Sequence, residues 1–260
     1  MTADADQSGD LLVRMIGIHM HYGKVVGLRN VNLDIGRNEI VGLVGDNGAG
    51  KSTLIKVLTG VEIPTAGRLI IKGKEINPGG YSVRRAHDWK IETVYQDRSL
   101  GEKQPLWRNF FVGRPITNRL GFIDVKAEKR IAEEIMRTTI GFRSRGIGVD
   151  SVVGKLSGGE RQGVAIGRAM HFDSDLIILD EPTVALAIKE VRRVLDFVLS
   201  IKSGGRSCIY IEHNLAHVHE VADRLVVMDR GEVTLDVAKS AMSLAGLTDY
   251  LLSLHRARPH

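Results

Sequence analysis

The segment Gly45-Asp46-Asn47-Gly48-Ala49-Gly50-Lys51-Ser52-Thr53 constrains this chain more than any other. A glycine, four residues, then Gly-Lys and a hydroxyl residue is the pattern of a phosphate-wrapping loop. Glu39 to Val44, just before it, is a continuous apolar run that reads as a buried strand. Lys51 onward, with Leu54, Ile55, Val57 and Leu58, has helical spacing that stops at Gly60. Between such a strand and such a helix, glycines let backbone N–H groups wrap an anion without Cβ clashes, and the helix start adds positive potential. On this reading Lys51 reaches the β- and γ-phosphates of a nucleoside triphosphate and the Ser52 hydroxyl ligates Mg2+; alone, the motif says no more than that such a triphosphate binds. Gly45, Asn47, Gly48, Gly50 and Thr53 complete the contacts. The plainer alternative is a glycine turn between strand and helix that holds no ligand.

Two further segments carry chemistry. Leu156-Ser157-Gly158-Gly159-Glu160-Arg161-Gln162 precedes a helical run from Gly163 to Met170. It puts the Ser157 hydroxyl and the N–H groups of Gly158 and Gly159 at a helix start, again a phosphate-facing arrangement; a flexible Ser-Gly-Gly turn fits equally. Leu176-Ile177-Ile178-Leu179-Asp180-Glu181-Pro182 is an apolar strand that delivers two carboxylates at its C-terminal end, where α/β sheets place ligands. Asp180 suits the Mg2+ side of such a site and Glu181 the polarisation of an attacking water.

Around these motifs the chain alternates strands and helices. Leu11 to Met20 and Val31 to Ile35 read as strands, with a turn opening at Tyr22-Gly23. A strand pair is expected around Arg68 to Lys72, another strand at Ile91 to Tyr95, buried parallel strands at Asp175 to Asp180 and Ser207 to Ile211, and a short one at Leu225 to Met228. From about Arg98 to Lys155 the character changes. Lys126 to Ile140 reads there as one amphipathic helix, with Ile131, Ile135 and Ile140 inward. Ser243 to Leu254 carries Leu244, Leu247, Leu251 and Leu254 on one side and reads as a helix packed on its own domain.

Composition narrows the partners. The surplus of 36 basic over 31 acidic residues is scattered, which reads as a solvated surface, and 5% aromatics offers no stacking platform for single-stranded nucleic acid. No nucleic acid is expected as a partner. Cys208 is the sole cysteine, so no intrachain disulfide forms, which fits a reducing compartment, and its apolar surroundings read as burial. Met1 to Asp10 is polar and lacks a signal-peptide core, and runs such as Ile40 to Val44 are too short to span a bilayer. The chain is expected in the cytoplasm, with any membrane role supplied by a partner.

The phosphate loop, LSGGE and LIILDEP, in that order and at these separations, resemble the ABC ATPase family over about 11 to 236. The resemblance implies an α/β P-loop NTPase core with an N-terminal antiparallel β subdomain and a helical subdomain insertion. The expected organisation is a polar tail over 1–10, a single ABC ATPase domain over 11–240 with its helical subdomain at about 98–170, and a C-terminal helix and tail over 241–260. It also implies a homodimer in the ATP-bound state, two copies meeting head to tail, each ATP lying between the P-loop of one and Ser157 to Gly159 of the other. Tyr22 matches the family's adenine-stacking aromatic, though a Tyr packed on the core fits the same position. Gln96 matches the glutamine that senses Mg2+ and the γ-phosphate, and His213 the histidine that contacts the γ-phosphate. His213, His217, His219 and Glu220 otherwise suggest a metal cluster, but His213 ends a strand while the others begin a helix. Two positions depart from the family. Ala187 stands where an aspartate is common, which puts communication between the two ATP sites in doubt, and Glu160 stands where glutamine is commoner.

LSGGERQGVAIGRAM, EPTVALAIKE and IEHNLAHVHEVADRLVVMDRG are most similar to the ATPases of bacterial monosaccharide importers, in a single-cassette form, with a fructose-type sugar one option. That resemblance implies a peripheral protein at the cytoplasmic face of the bacterial inner membrane. Its partners would be integral-membrane permease subunits and, indirectly, a periplasmic sugar-binding protein. An exporter motor or a ribosome- or nucleic-acid-associated ABC ATPase is the alternative. Leu106, Trp107, Phe110 and Phe111 fall where the family forms the groove for the permease; equally, they could simply pack the helical insertion.

Overall fold

The computed structural model of the protein describes residues 11–94, 100–140, 146–184 and 186–256, and the side chains of all of these but 139 and 140. The chain divides into two compact units. The first holds residues up to Thr93, Ser174–Glu181 and Val198 onward; the second holds Val94–Asp173 and Pro182–Phe197.

In the first unit, β1 (Leu11–Tyr22) and β2 (Val25–Gly36) form a long antiparallel hairpin; β4 (Ala66–Ile71) pairs with β1, and the short β5 (Lys74–Glu75) with β4. Their sheet has the order β2-β1-β4-β5. A second sheet holds β3 (Ile40–Val44), β6 (Ile91–Val94), β7 (Leu176–Asp180), β8 (Ser207–Ile211), β9 (Arg224–Asp229) and β10 (Glu232–Ala238), in the order β10-β9-β3-β8-β7-β6. β3 runs parallel to β8 and β9, and β7 parallel to β8. Every residue of β3 and β8 is buried, as expected of central parallel strands read as unbroken apolar runs. One core joins both sheets, with Leu12, Ile18, Leu28, Leu43, Ile178 and Ile209 among its members. The core takes in Leu54, Ile55, Val57 and Leu58 of α1 (Lys51–Leu58), and α2 is the short segment Val83–Asp88. Cys208 is fully buried, and burial pushes its thiol far up from the ordinary value.

Arg224, at the start of β9, ties this unit together. Its guanidinium pairs with Glu39 at 2.8 Å and Asp236 at 2.7 Å and also donates to the Asp34 carbonyl. The neighbouring Asp223 accepts from the Ile40 N–H at 2.9 Å and from Lys202 at 2.6 Å. β10, which the sequence reading did not foresee, is a half-exposed edge strand paired antiparallel with β9. The C-terminal α8 (Leu244–Arg256) forms where a helix was expected, but of the four expected apolar contacts only Leu247 is buried; Leu244 is 37% exposed. α8 is held by polar contacts as well, Tyr250 donating to the Thr234 carbonyl at 2.8 Å. α7 (Leu215–Val221) precedes it. Its His219 makes a hydrogen bond with the Met242 carbonyl at 2.9 Å, and His217 lies beside Asn214.

The second unit is helical: α3 (Leu106–Phe110), α4 (Val125–Ile135), α5 (Gly158–His171) and the start of α6 (Ile188–Ser203). The helix expected over 126–140 is present, with α4 as its α-helical part. It widens into a π-helical turn at Met136–Ile140, where the Thr138 hydroxyl bonds back to the Glu134 carbonyl at 2.7 Å. The core of this unit gathers Leu106, Trp107, Phe110, Phe111, Ala132, Ile135, Val153, Leu156 and Val164. Leu106, Trp107, Phe110 and Phe111 are thus all buried, so of their two readings the structure bears out packing, and they offer no exposed groove. Phe110→Ser should therefore destabilise this unit by about 3 kcal/mol or more, through the cavity and the buried hydroxyl. Urea denaturation followed by tryptophan fluorescence tests this; an unchanged midpoint would contradict the core placement.

Candidate functional site

The loop after β3 begins with a steric requirement. A Cβ on Gly45 would sit 2.3 Å from the Met228 backbone oxygen, and the residue has φ +152°, so only glycine lets the chain leave the strand here. Gly50, at φ +104°, ends the loop and directs the chain into α1. No side chain caps the start of α1, so its first N–H groups face the loop without a side-chain acceptor. Lys51 is buried and folds back over the loop, its Nζ donating to the Gly45 carbonyl at 2.6 Å and the Asp46 carbonyl at 2.9 Å. Asn47, Gly48 and Ser52 are exposed, while Thr53 is half-buried.

Tyr22 sits at the end of β1, 40% exposed. A Cβ on Gly27 would meet the Tyr22 ring at 3.0 Å and Thr53 Cγ2 at 3.2 Å, so the ring and the Thr53 side chain share the bare face of that glycine. An aromatic face therefore stands beside the first turn of α1.

The carboxyl ends of β7 and β8 supply the acid groups. Asp180 closes β7 opposite Ile211 of β8. Glu181 follows with φ +50°, a left-handed conformation costly for a residue with a Cβ, held by its N–H bond to the Ile211 carbonyl at 2.9 Å. From the end of β8, His213 reaches back, its Nε2 2.7 Å from Glu181 Oε1. Between them in sequence lies Glu212, which is buried and accepts the His213 backbone N–H at 2.9 Å. Sequence reasoning passed over Glu212; its signal was the one used at β7, a charged residue directly after an apolar strand.

Electrostatics joins these groups. Burial pulls the Lys51 ammonium below its ordinary value, against the charges of Glu181, Asp180 and Asp46. Burial pushes the Asp180 carboxyl up, Glu181 pushes it further, and Lys51 and His213 oppose the shift. Asp46, inside the loop, pairs with His255 of α8 at 2.9 Å, a contact between residues 209 apart that no sequence pattern announces. The arrangement can take an anion against the loop and α1, a cation beside Asp180, and a proton at Glu181 or His213.

The segment Ser157-Gly158-Gly159 belongs to the second unit. Ser157 is the N-cap of α5, its hydroxyl accepting the Glu160 N–H at 3.2 Å while Glu160 accepts the Ser157 N–H at 2.9 Å, a complete capping box. Gly159 donates its N–H to Glu190 at 3.2 Å. Gln96 lies outside the described residues. The described residues hold no group of three or more His, Cys, Asp or Glu side chains arranged to take a metal ion, and no helix long and apolar enough to cross a membrane.

A parallel-stranded sheet with a glycine loop after a central strand, and carboxylates at neighbouring strand ends, defines an α/β P-loop NTPase domain. The sequence matches the family model described as ABC transporter over residues 28–184. Similar curated proteins include a xylose/arabinose import ATP-binding protein of Sulfolobus acidocaldarius, 36% identical over 93% of this chain and 94% of that protein. A fructose import ATP-binding protein of Rhizobium meliloti is 38% identical over 80% of this chain and 81% of its own length. For a ribose import ATP-binding protein of Rubrobacter xylanophilus, identity is 35% over 90% of this chain but only 48% of that longer protein. Among solved structures, a nucleotide-free ATP-binding cassette from an ABC transporter superposes with TM-score 0.78 at 24% identity, over 94% of this chain and 95% of that one. This chain belongs to the ABC transporter family, as a single ATP-binding cassette with the ATPase activity of that class.

Asp180 gives a pH test. Its raised value means the folded state keeps a proton that the unfolded chain has already lost, so stability falls as pH rises from the ordinary carboxylate range through the raised value. Asp180→Asn removes that fall. At pH 8, with nucleotide withheld and EDTA present, the variant should be about 1 kcal/mol more stable, roughly 2–4 °C in Tm, and the gain should vanish below pH 4. Thermal melts across pH check it; a variant less stable at pH 8 would contradict the direction.

Proposed function

We propose that the chain is the ATP-hydrolysing subunit that powers monosaccharide import by a bacterial ABC transporter. The observation that carries this is its near full-length similarity to proteins named as xylose/arabinose and fructose import ATP-binding proteins. The relatives reported above all carry import names, so neither an exporter nor a ribosome-associated machine gains support from them. The partners on this reading are integral-membrane permease subunits and, through them, a periplasmic sugar-binding protein. A fructose-type sugar remains one choice within that class.

The residues present fit Mg2+-ATP. The start of α1 has no side-chain cap, so a phosphate there meets free N–H donors, and the ammonium of Lys51 stands over the loop where it can turn from two carbonyls to the phosphates. Gly45, Asn47, Gly48 and Gly50 wrap the triphosphate, and Thr53 and the Tyr22 ring bound the side where adenine stacks. Ser52, Asp180 and Gln96 would hold Mg2+, which when bound neutralises charge on the β- and γ-phosphates. The metal also offers a partner for the Asp180 charge that burial penalises. Glu181 takes the proton from the attacking water, and His213, in contact with it, orients that carboxylate and reaches the γ-phosphate side. Ser157, Gly158 and Gly159 of a second copy close over the triphosphate, giving a homodimer with two ATPs at its interface. Closure moves the permease and hydrolysis releases it.

Glu181→Gln keeps the shape of the side chain but removes the base. It should bind ATP, accumulate as a stable dimer by size-exclusion chromatography, and lose about a thousandfold in hydrolysis rate. Near-normal turnover would remove Glu181 from the role of base.

A further inference from the structure

The start of α5, where a second copy's triphosphate is expected, already holds an anion of this chain's own. The Glu190 carboxylate accepts the Gly159 N–H through Oε1 at 3.2 Å and the Ala187 N–H through Oε2 at 3.1 Å. Its stem lies across the bare Cα of Gly159: a Cβ there would stand 2.6 Å from Glu190 Cγ and 2.8 Å from Glu190 Cβ. The glycine therefore leaves room for a side chain from α6. The Ala187 N–H holds this carboxyl below the ordinary glutamate pKa against a burial cost, helped by the Ser157 hydroxyl, the Gly159 N–H and Arg193, so Glu190 is ionised at neutral pH.

Local chemistry explains its placement. Glu190 is the third residue of α6 and bonds back to the backbone N–H of Ala187, as the acid of a capping box does. Ala187 has no side-chain oxygen with which to complete the box. One Glu190 oxygen caps α6 and the other is spent on α5. The hydroxyl of Ser157, which a phosphate would also need, is engaged with Glu160 and borders the same carboxylate. A carboxylate at a helix N-terminus sits where such a site stabilises any anion, and a phosphate arriving at the same donor meets a like charge at contact distance.

We propose that Glu190 is a displaceable stand-in for phosphate: it holds the Gly159 N–H while the subunits are apart, and must leave that donor before a second copy's ATP can bind there. It thereby sets the ATP concentration at which two copies close. The inference rests on the head-to-tail reading above and adds a residue that positions and gates the start of α5. It also gives a function to the segment around Ala187: with no aspartate there, the carboxylate of this segment that reaches the start of α5 is Glu190, three residues on.

Glu190→Gln tests it. Glutamine preserves length, and its single carbonyl oxygen can still accept the Ala187 N–H as the usual alternative at this capping position, so the helix start is kept, while its NH2 cannot accept the Gly159 N–H and leaves that donor open. In chains that also carry Glu181→Gln, analytical ultracentrifugation across an ATP series should show half-maximal dimer at roughly fivefold lower ATP when Glu190 is replaced. Binding of a fluorescent ATP analogue to the monomer at low protein concentration reports loading of the P-loop separately. An ATP requirement that is unchanged or raised, in a variant whose monomer loads normally, means that Glu190 only braces the segment and overturns the proposal. Absence of any ATP-dependent dimer, with or without the Glu190 substitution, despite normal loading, overturns the head-to-tail reading and this inference with it.

Discussion

Between Gly45 and Met228 there is no room for a side chain: the carbonyl oxygen of β9 stands 2.3 Å from where a Cβ would be. The chain must leave β3 at that point, and it can do so only as glycine, hugging the neighbouring strand. From there the loop turns back over its own carbonyls, Lys51 folds onto them, and α1 starts without a side-chain cap. The strand order then does the rest. With β8 beside β3 and β7 beside β8, the charged residues that end those strands, Asp180 and Glu181 on one and Glu212 and His213 on the other, meet at the same edge of the sheet.

This edge costs stability that the remainder of the unit supplies. Lys51 and Asp180 are both held in charge states that burial opposes, and Glu181 adopts a left-handed backbone to bring its carboxylate to His213. A continuous apolar core under both sheets offsets these costs, and the Arg224 pairs with Glu39 and Asp236 fix the opposite ends of β3 and β9. Backbone strain at Glu181 and the partly buried charges of Lys51 and Asp180 thus gather at the ends of neighbouring strands.

Most of the first unit was legible because its signals are local. A buried strand, a glycine loop and a helix start are contiguous, and an apolar strand ending in Asp-Glu needs no distant partner to be recognised. What escaped was tertiary. The pairing of Asp46 with His255 and the placing of Glu190 on Gly159 join residues 209 and 31 positions apart. Leu106, Trp107, Phe110 and Phe111 illustrate the same limit from the other side: an apolar cluster in a polar stretch looks alike whether it awaits a partner or fills a core, and here it fills one. The segment over 126–140 is helical to its end, but periodicity does not register the change from α to π winding at Met136.

The proposed ATPase cycle requires two copies to meet with the phosphate loop of one against the start of α5 of the other. Because Cys208 is the sole cysteine and is buried, a chain carrying Asn47→Cys, Ser157→Cys and Glu181→Gln has only two thiols able to react. Mild oxidation followed by non-reducing electrophoresis should yield a covalent dimer with ATP and little with ADP or no nucleotide. Equal cross-linking under all three conditions, or none with ATP, would contradict head-to-tail closure on the nucleotide.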